Sequence, residues 1–123
     1  MKLRINGNSI RLRLSKTEVA AFGATGMITT AIEFATNSLQ YVLQKETNAD
    51  AIYADMANNT ITVFIPTSMA TDWVNTDIIG LEYTMNLLNG NKLHILVEKD
   101  FKCIDSASGE DQTDNYENPN KNC

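Results

Sequence analysis

The order of segments constrains this chain most, because the same order occurs twice. Lys2-Leu3-Arg4-Ile5 and Ser9 to Leu14 alternate polar and apolar residues around Asn6-Gly7, the strongest short-range signal for a β-hairpin. Ser15-Lys16-Thr17-Glu18 then fits a capping box, in which serine hydroxyl and glutamate carboxylate satisfy free amides at a helix start. Val19 to Phe22 supply the helix, and Gly23 and Gly26 are expected to keep it short. Residues 27–35 and 39–44 read as two further strands around the turn residues Thr36-Asn37-Ser38. In the second half, Ala51 to Met56 and Thr60 to Ile65 flank Asn58-Asn59, and Pro66 stops the strand. Thr67 or Ser68 is expected to cap a short helix that holds Met69, Ala70, Trp73 and Val74. Ile78 to Met85 and Lys92 to Lys99 complete the set around Asn89-Gly90-Asn91.

Two ββαββ units in succession imply an internal duplication, although residue identity between them is slight beyond Ile10 to Ser15 against Ile61 to Thr67. The expected fold class is α+β: eight mainly antiparallel strands and two short helices in about 100 residues. A single open sheet of eight strands would leave long edges, so a curled, half-open, barrel-like arrangement is expected, with two packed sheets as the alternative. Residues 1–103 form this domain, and 104–123 form an irregular acidic tail packed on it or tethered to it. The tail holds five acids, one lysine and almost no apolar side chains besides Ile104 and Tyr116, so it cannot build a core of its own.

No apolar run approaches the roughly 18 residues that span a bilayer, and the first residues do not build a signal-peptide core, which predicts a cytoplasmic protein without a membrane partner. The net charge of −5 with 7% aromatics speaks against a dedicated nucleic-acid binder. The charge is uneven along the chain. Residues 1–46 are net +3 and the remainder net −8. A period of two places Leu3, Ile5, Ile10, Leu12 and Leu14 on one face of the first hairpin, and Lys2, Arg4, Arg11 and Arg13 on the other. The same bookkeeping assembles a polar face from Glu33, Gln40, Gln44, Thr60, Thr62, Glu82, Thr84, His94 and Glu98. Such a face serves as a solvated, charge-laced sheet surface. Alternatively it lines a groove in which the four cations clamp a phosphate and Glu33, Glu82 or Glu98 hold a divalent metal.

Cys103 and Cys123 are the only cysteines. A reducing compartment would keep both as thiols. A disulfide between them would close a loop of about 20 residues and stabilise the fold by roughly 3 kcal/mol. A metal is the third option, with His94 and one of Asp100, Asp105 or Asp114 completing four ligands, although no CxxC or HxxxH spacing is present. His94 by itself reads as a half-buried strand residue. Asp111 to Tyr116 lacks the glycine and the final glutamate of a calcium loop. Tyr116 and Pro119 read as an anchor and a turn that lay the tail back on the domain.

The curled sheet with a charged lining resembles, in outline only, the triphosphate-tunnel enzymes. Their alternating E-x-E-x-K strand is missing, because the first strand reads Lys-Leu-Arg-Ile, so their activity is not carried over. A second resemblance spans nearly the whole chain. KLRINGNSIRLRL, Ser15 to Val19, and Leu96 to Cys103 (the VEKDF-x-C segment) followed by Glu110-Asp111-Gln112, Asp114-Asn115-Tyr116 and Asn118-Pro119 are similar to a family of small uncharacterised bacterial proteins. That resemblance implies that the tail belongs to the folded unit and names no ligand or cofactor. The sequence therefore points first to a non-catalytic binding or interaction domain, with a homodimer through an unpaired strand edge as one form of it. The alternatives are a metal-dependent enzyme or binder of phosphorylated small molecules using Lys2, Arg4, Arg11 and Arg13, and a metal- or redox-responsive module using Cys103 and Cys123.

Overall fold

In the computed structural model, which describes residues 1–101 and 113–117, both hairpin signals become hairpins. Strands β1 (Lys2–Ile5) and β2 (Ser9–Leu14) pair across Gly7, whose φ of 57° lies in the left-handed region that glycine adopts without strain. After β2 come helix α1 (Lys16–Thr25), β3 (Met27–Glu33) and β4 (Ser38–Glu46). The second half runs β5 (Tyr53–Ala57), β6 (Thr60–Pro66), α2 (Thr67–Asn75), β7 (Gly80–Asn86) and β8 (Lys92–Lys99). Asn58 and Asn59, at φ of 53° and 58°, make the tight β5–β6 turn.

The strands form two four-stranded sheets, ordered β1-β2-β8-β7 and β3-β4-β6-β5, called A and B here. This is the two-sheet alternative, and it replaces the barrel expectation. Among the described residues each sheet ends in two strands paired on one side only, so neither closes into a barrel. The pairing is mainly antiparallel, as expected, in the four hairpins, but the centre of each described sheet departs from it, with β2 parallel to β8 and β4 parallel to β6. The cause is the helices. α1 carries the chain from sheet A to sheet B and α2 carries it back, so each sheet is built from one hairpin of each half and the inner strands meet in parallel.

Equivalent positions in the two halves make equivalent bonds. The amide of Gln40 donates to the Asn59 carbonyl at 2.9 Å, and that of His94 to the Asn8 carbonyl at 3.1 Å. The amides of Lys45 and Lys99 donate to the carbonyls of Gly26 and Ile79, at 2.8 and 3.0 Å. Each lysine side chain then reaches a helix C-terminus, Lys45 Nζ to the Gly23 carbonyl at 3.1 Å and Lys99 Nζ to the Thr76 carbonyl at 2.7 Å. Neither helix has a basic residue in its own last turn, so these strand lysines supply the positive charge that a helix C-terminus favours, worth about 0.3–1 kcal/mol where exposed.

α1 begins with the expected capping box, Ser15 and Glu18 bonding each other's backbone amides, and ends at Gly26 in the left-handed conformation. Gly23 does not stop the helix. It lies inside α1 because a Cβ there would come within 2.8 Å of Val74 Cγ1, and the missing side chain lets the two helices approach. α2 also departs from expectation. Its N-cap is Pro66, which offers no side-chain bond, and Thr67 is already helical. Phe22 of α1 and Trp73 of α2, both fully buried, meet edge to face with ring centroids 6.1 Å apart. Around them one core cluster takes Leu12, Leu14, Ile95 and Val97 from sheet A, and Tyr41, Leu43, Val63 and Ile65 from sheet B.

Candidate functional site

The topology gives the molecule two unlike ends. Both helices bridge the same ends of the two sheets, and the four hairpin turns lie at the other. The helix end is charged and tied down. The Met1 ammonium pairs with Glu18, whose carboxyl burial would raise, but that ion pair and the bonds from Ser15 lower its pKa on balance. Residues 113–117 lie across the start of α1: the Lys16 amide donates to the Asp114 carbonyl at 2.9 Å and the Thr17 hydroxyl to the Asp114 carboxylate at 2.9 Å. Hydrogen bonds from Ser15 and Thr17 lower the Asp114 pKa. The Tyr116 amide donates to the Asp100 carbonyl at 2.7 Å, and its ring lies under Lys99, 5.7 Å from Nζ. Lys99 is only 6% exposed, and burial pulls its pKa below 10.5 while the Asp77 carboxylate pulls the other way.

The expected basic face exists. Lys2 opposes Arg13 and Arg4 opposes Arg11 on the outer side of sheet A. Carboxylates already meet three of these four cations: Arg13 and Arg11 reach Glu98 at 2.7 and 3.6 Å, and Lys2 reaches Asp100 at 2.9 Å. The larger polar face is divided. Glu82, Thr84, His94 and Glu98 share sheet A with the cations, whereas Glu33, Gln40, Gln44, Thr60 and Thr62 belong to sheet B. His94 is exposed, and its Nδ1 lies 3.0 Å from the Thr84 hydroxyl. Cys103, Cys123 and Asp105 lie outside the described residues. Among the described residues no three His, Cys, Asp or Glu side chains converge as a metal site.

Sequence reasoning missed a groove between the linker that leads into β5 and the edge strand β7. It has a volume of about 430 Å3 and is lined by Ala49 to Tyr53, Tyr83, Met85 and Asn86. Ile52, a buried member of the core cluster, forms part of the lining, so the groove reaches the space between the sheets. Tyr53 is held by stacking on Phe64, with centroids 4.5 Å apart and planes 16° from parallel. Tyr83 and Met85 lie on the inward face of β7, yet Tyr83 is 41% exposed, because β7 is an edge strand with no neighbouring strand on that side among the described residues. Asp50 and Asn86 add polar side chains to the apolar and aromatic ones, and among the described lining residues Asp50 carries the one charge. The signal in the sequence was the 47–52 linker, whose Ala49, Ala51 and Ile52 are apolar for a surface connection. At the equivalent flank, beside β1 and β3, Met1 occupies the position of Ile52 and its carbonyl accepts a 2.9 Å bond from the Tyr41 hydroxyl.

Fold and site together define a two-sheet α+β domain with a closed, charged end and an open flank groove. No helix among the described residues is long and apolar enough to cross a membrane. The chain belongs to the family described as "Family of unknown function (DUF7009)", whose model matches residues 1–120. No curated protein and no solved structure matches it.

Proposed function

We propose that this protein is a non-catalytic binding domain whose ligand lies in the groove between the linker before β5 and strand β7. The observation that carries the reading is the composition of that groove: two tyrosines, Met85 and the buried Ile52 around about 430 Å3, with Asp50 and Asn86 as its polar groups. Small-molecule sites have this make-up, an apolar body of roughly 300–1,000 Å3 with a few placed polar atoms. The fitting ligand has an aromatic or aliphatic body and a cationic or hydrogen-bond-donating end that meets the Asp50 carboxylate. A titration with aromatic amines and their neutral counterparts, followed by amide NMR shifts, tests this. Shifts are expected at Ile52, Tyr53, Tyr83 and Asn86, and Asp50→Asn should weaken the amines while leaving the neutral compounds unaffected. Absence of shifts at these four residues across the panel would sink the reading.

The two halves are taken here as copies of one ancestral ββαββ unit. The repeated bonds of Gln40 with His94 and of Lys45 with Lys99 support it, as does the sheet order, which maps onto itself when the halves are exchanged. In this reading the groove is a departure from the repeat, built on one flank by the 47–52 linker and Tyr83.

A further inference from the structure

We infer that strand β3 is a self-association edge, and that two copies of this chain join through antiparallel β3–β3 pairing centred on Thr30. The inference extends the reading as a binding domain to a second copy as partner, at an edge away from the groove. Exposed edges invite pairing, and proteins blunt them with charge. Three of the four edges carry charge within the strand, β1 at Lys2 and Arg4, β5 at Asp55 and β7 at Glu82, whereas the one charge of β3, Glu33, stands at its last residue. β3 reads MITTAIE, and its first six residues carry no charge. It is also among the longest edges, at seven residues, and is rich in the β-branched types that favour extended pairing. Beyond its ladder with β4, Met27 is engaged locally by the Thr25 hydroxyl, and no backbone bond outside the ladders involves Ile28 to Glu33 among the described residues.

The register follows from symmetry. A two-fold axis perpendicular to the sheet keeps both inward faces on the same side only if residues of equal parity oppose each other, and placing it at the strand midpoint pairs all seven residues. Thr30 then faces its own copy, Ile28 faces Ile32, Thr29 faces Ala31 and Met27 faces Glu33. On the inward face Ile28 meets Ile32 on either side of the Thr30 pair. Ile32, 43% exposed in the single chain, becomes covered. On the outward face the small Thr29 and Ala31 meet without like charges, so an eight-stranded sheet runs continuously across the two copies.

Sedimentation equilibrium on the full chain tests this, alongside two variants. Wild type is expected to rise with concentration to twice 13.6 kDa. Ala31→Lys places on β3 the charge that the other edges carry, at an exposed outward position, and should hold the chain monomeric with an unchanged circular dichroism spectrum. Thr30→Cys, in a Cys103→Ser, Cys123→Ser background, should oxidise to a covalent dimer, because directly opposed strand residues lie roughly 4.5–5.5 Å apart, within disulfide range. The same background with Asp55→Cys, on the β5 edge, should stay monomeric. A wild type of 13.6 kDa at every concentration overturns the inference, as does a dimer that survives Ala31→Lys. A dimer lost in Ala31→Lys that fails to cross-link at residue 30 overturns the register. The NMR titration of the groove separates the two readings: groove shifts in a monomeric protein would leave the binding function standing and remove the dimer.

Discussion

Ile65 and Ile5 are the same residue type on inward faces of the two sheets, yet Ile65 is fully buried and Ile5 is 60% exposed. The difference is position along the strand. Burial falls along the strands from the helix end to the turn end: Leu14, Leu12, then Ile10 on β2; Val97, Ile95, then Leu93 on β8; Ile65, Val63, then Ile61 on β6. At the helix end Phe22 and Trp73 fill the space between the sheets, and Lys45 and Lys99 lie over them. At the turn end nothing equivalent is inserted, and Met56, Ile5, Phe34 and Leu88 stay exposed among turns that hold no charged residue. In this fold burial is set by what covers a strand's end, and the apolar pattern of the strand alone does not reveal it.

If the closed end carries the stability, Trp73→Ala should cost about 3–5 kcal/mol, read as a fall in the denaturant midpoint. Gly23→Ala comes next. The new Cβ presses on Val74, and the crowding should cost about 1–3 kcal/mol even though alanine is the better helix former. Acid supplies a third test. Glu18 and Asp114 have pKa values below their ordinary 4.5 and 3.8, so their stabilisation is complete above those values and is lost as pH falls through the lowered ones. The melting temperature should therefore drop on acidification below about 4.5, and Glu18→Gln with Asp114→Asn should flatten that limb. The smallest effect belongs to the open end, where Met56→Ser should stay within about 0.5 kcal/mol of wild type. A Met56→Ser loss as large as that of Trp73→Ala would break the comparison outright.

Much of this architecture was legible. Alternation and Asn-Gly turns gave the strands, because a period of two is a local property, and the Ser15–Glu18 box gave the start of α1. The basic face of the first hairpin was legible for the same reason. Pairing between halves was not. Whether β2 lies beside β8 depends on where α1 and α2 carry the chain, and the packing of those helices, with Gly23 against Val74, is tertiary and announced by no local pattern. Charge pairing across that basic face was legible in kind, with Glu98 among its residues, but the particular partner of Arg13, 85 residues away in sequence, was not. The groove is the extreme case: it is assembled from a linker and from an edge strand of the other sheet.

The exchange of hairpins between the sheets also governs when the protein can fold during synthesis. β2 is made early, but its parallel partner β8 is not complete until Lys99. Sheet B, whose four strands lie between residues 27 and 66, has all its partners well before that. A chain leaving the ribosome therefore completes sheet B while the first hairpin still lacks its neighbour. Contacts so distant in sequence are slow to close. The first hairpin, with four cations on one face and its apolar side uncovered, must wait for most of the chain, and it is the segment on which a chaperone would have longest to act.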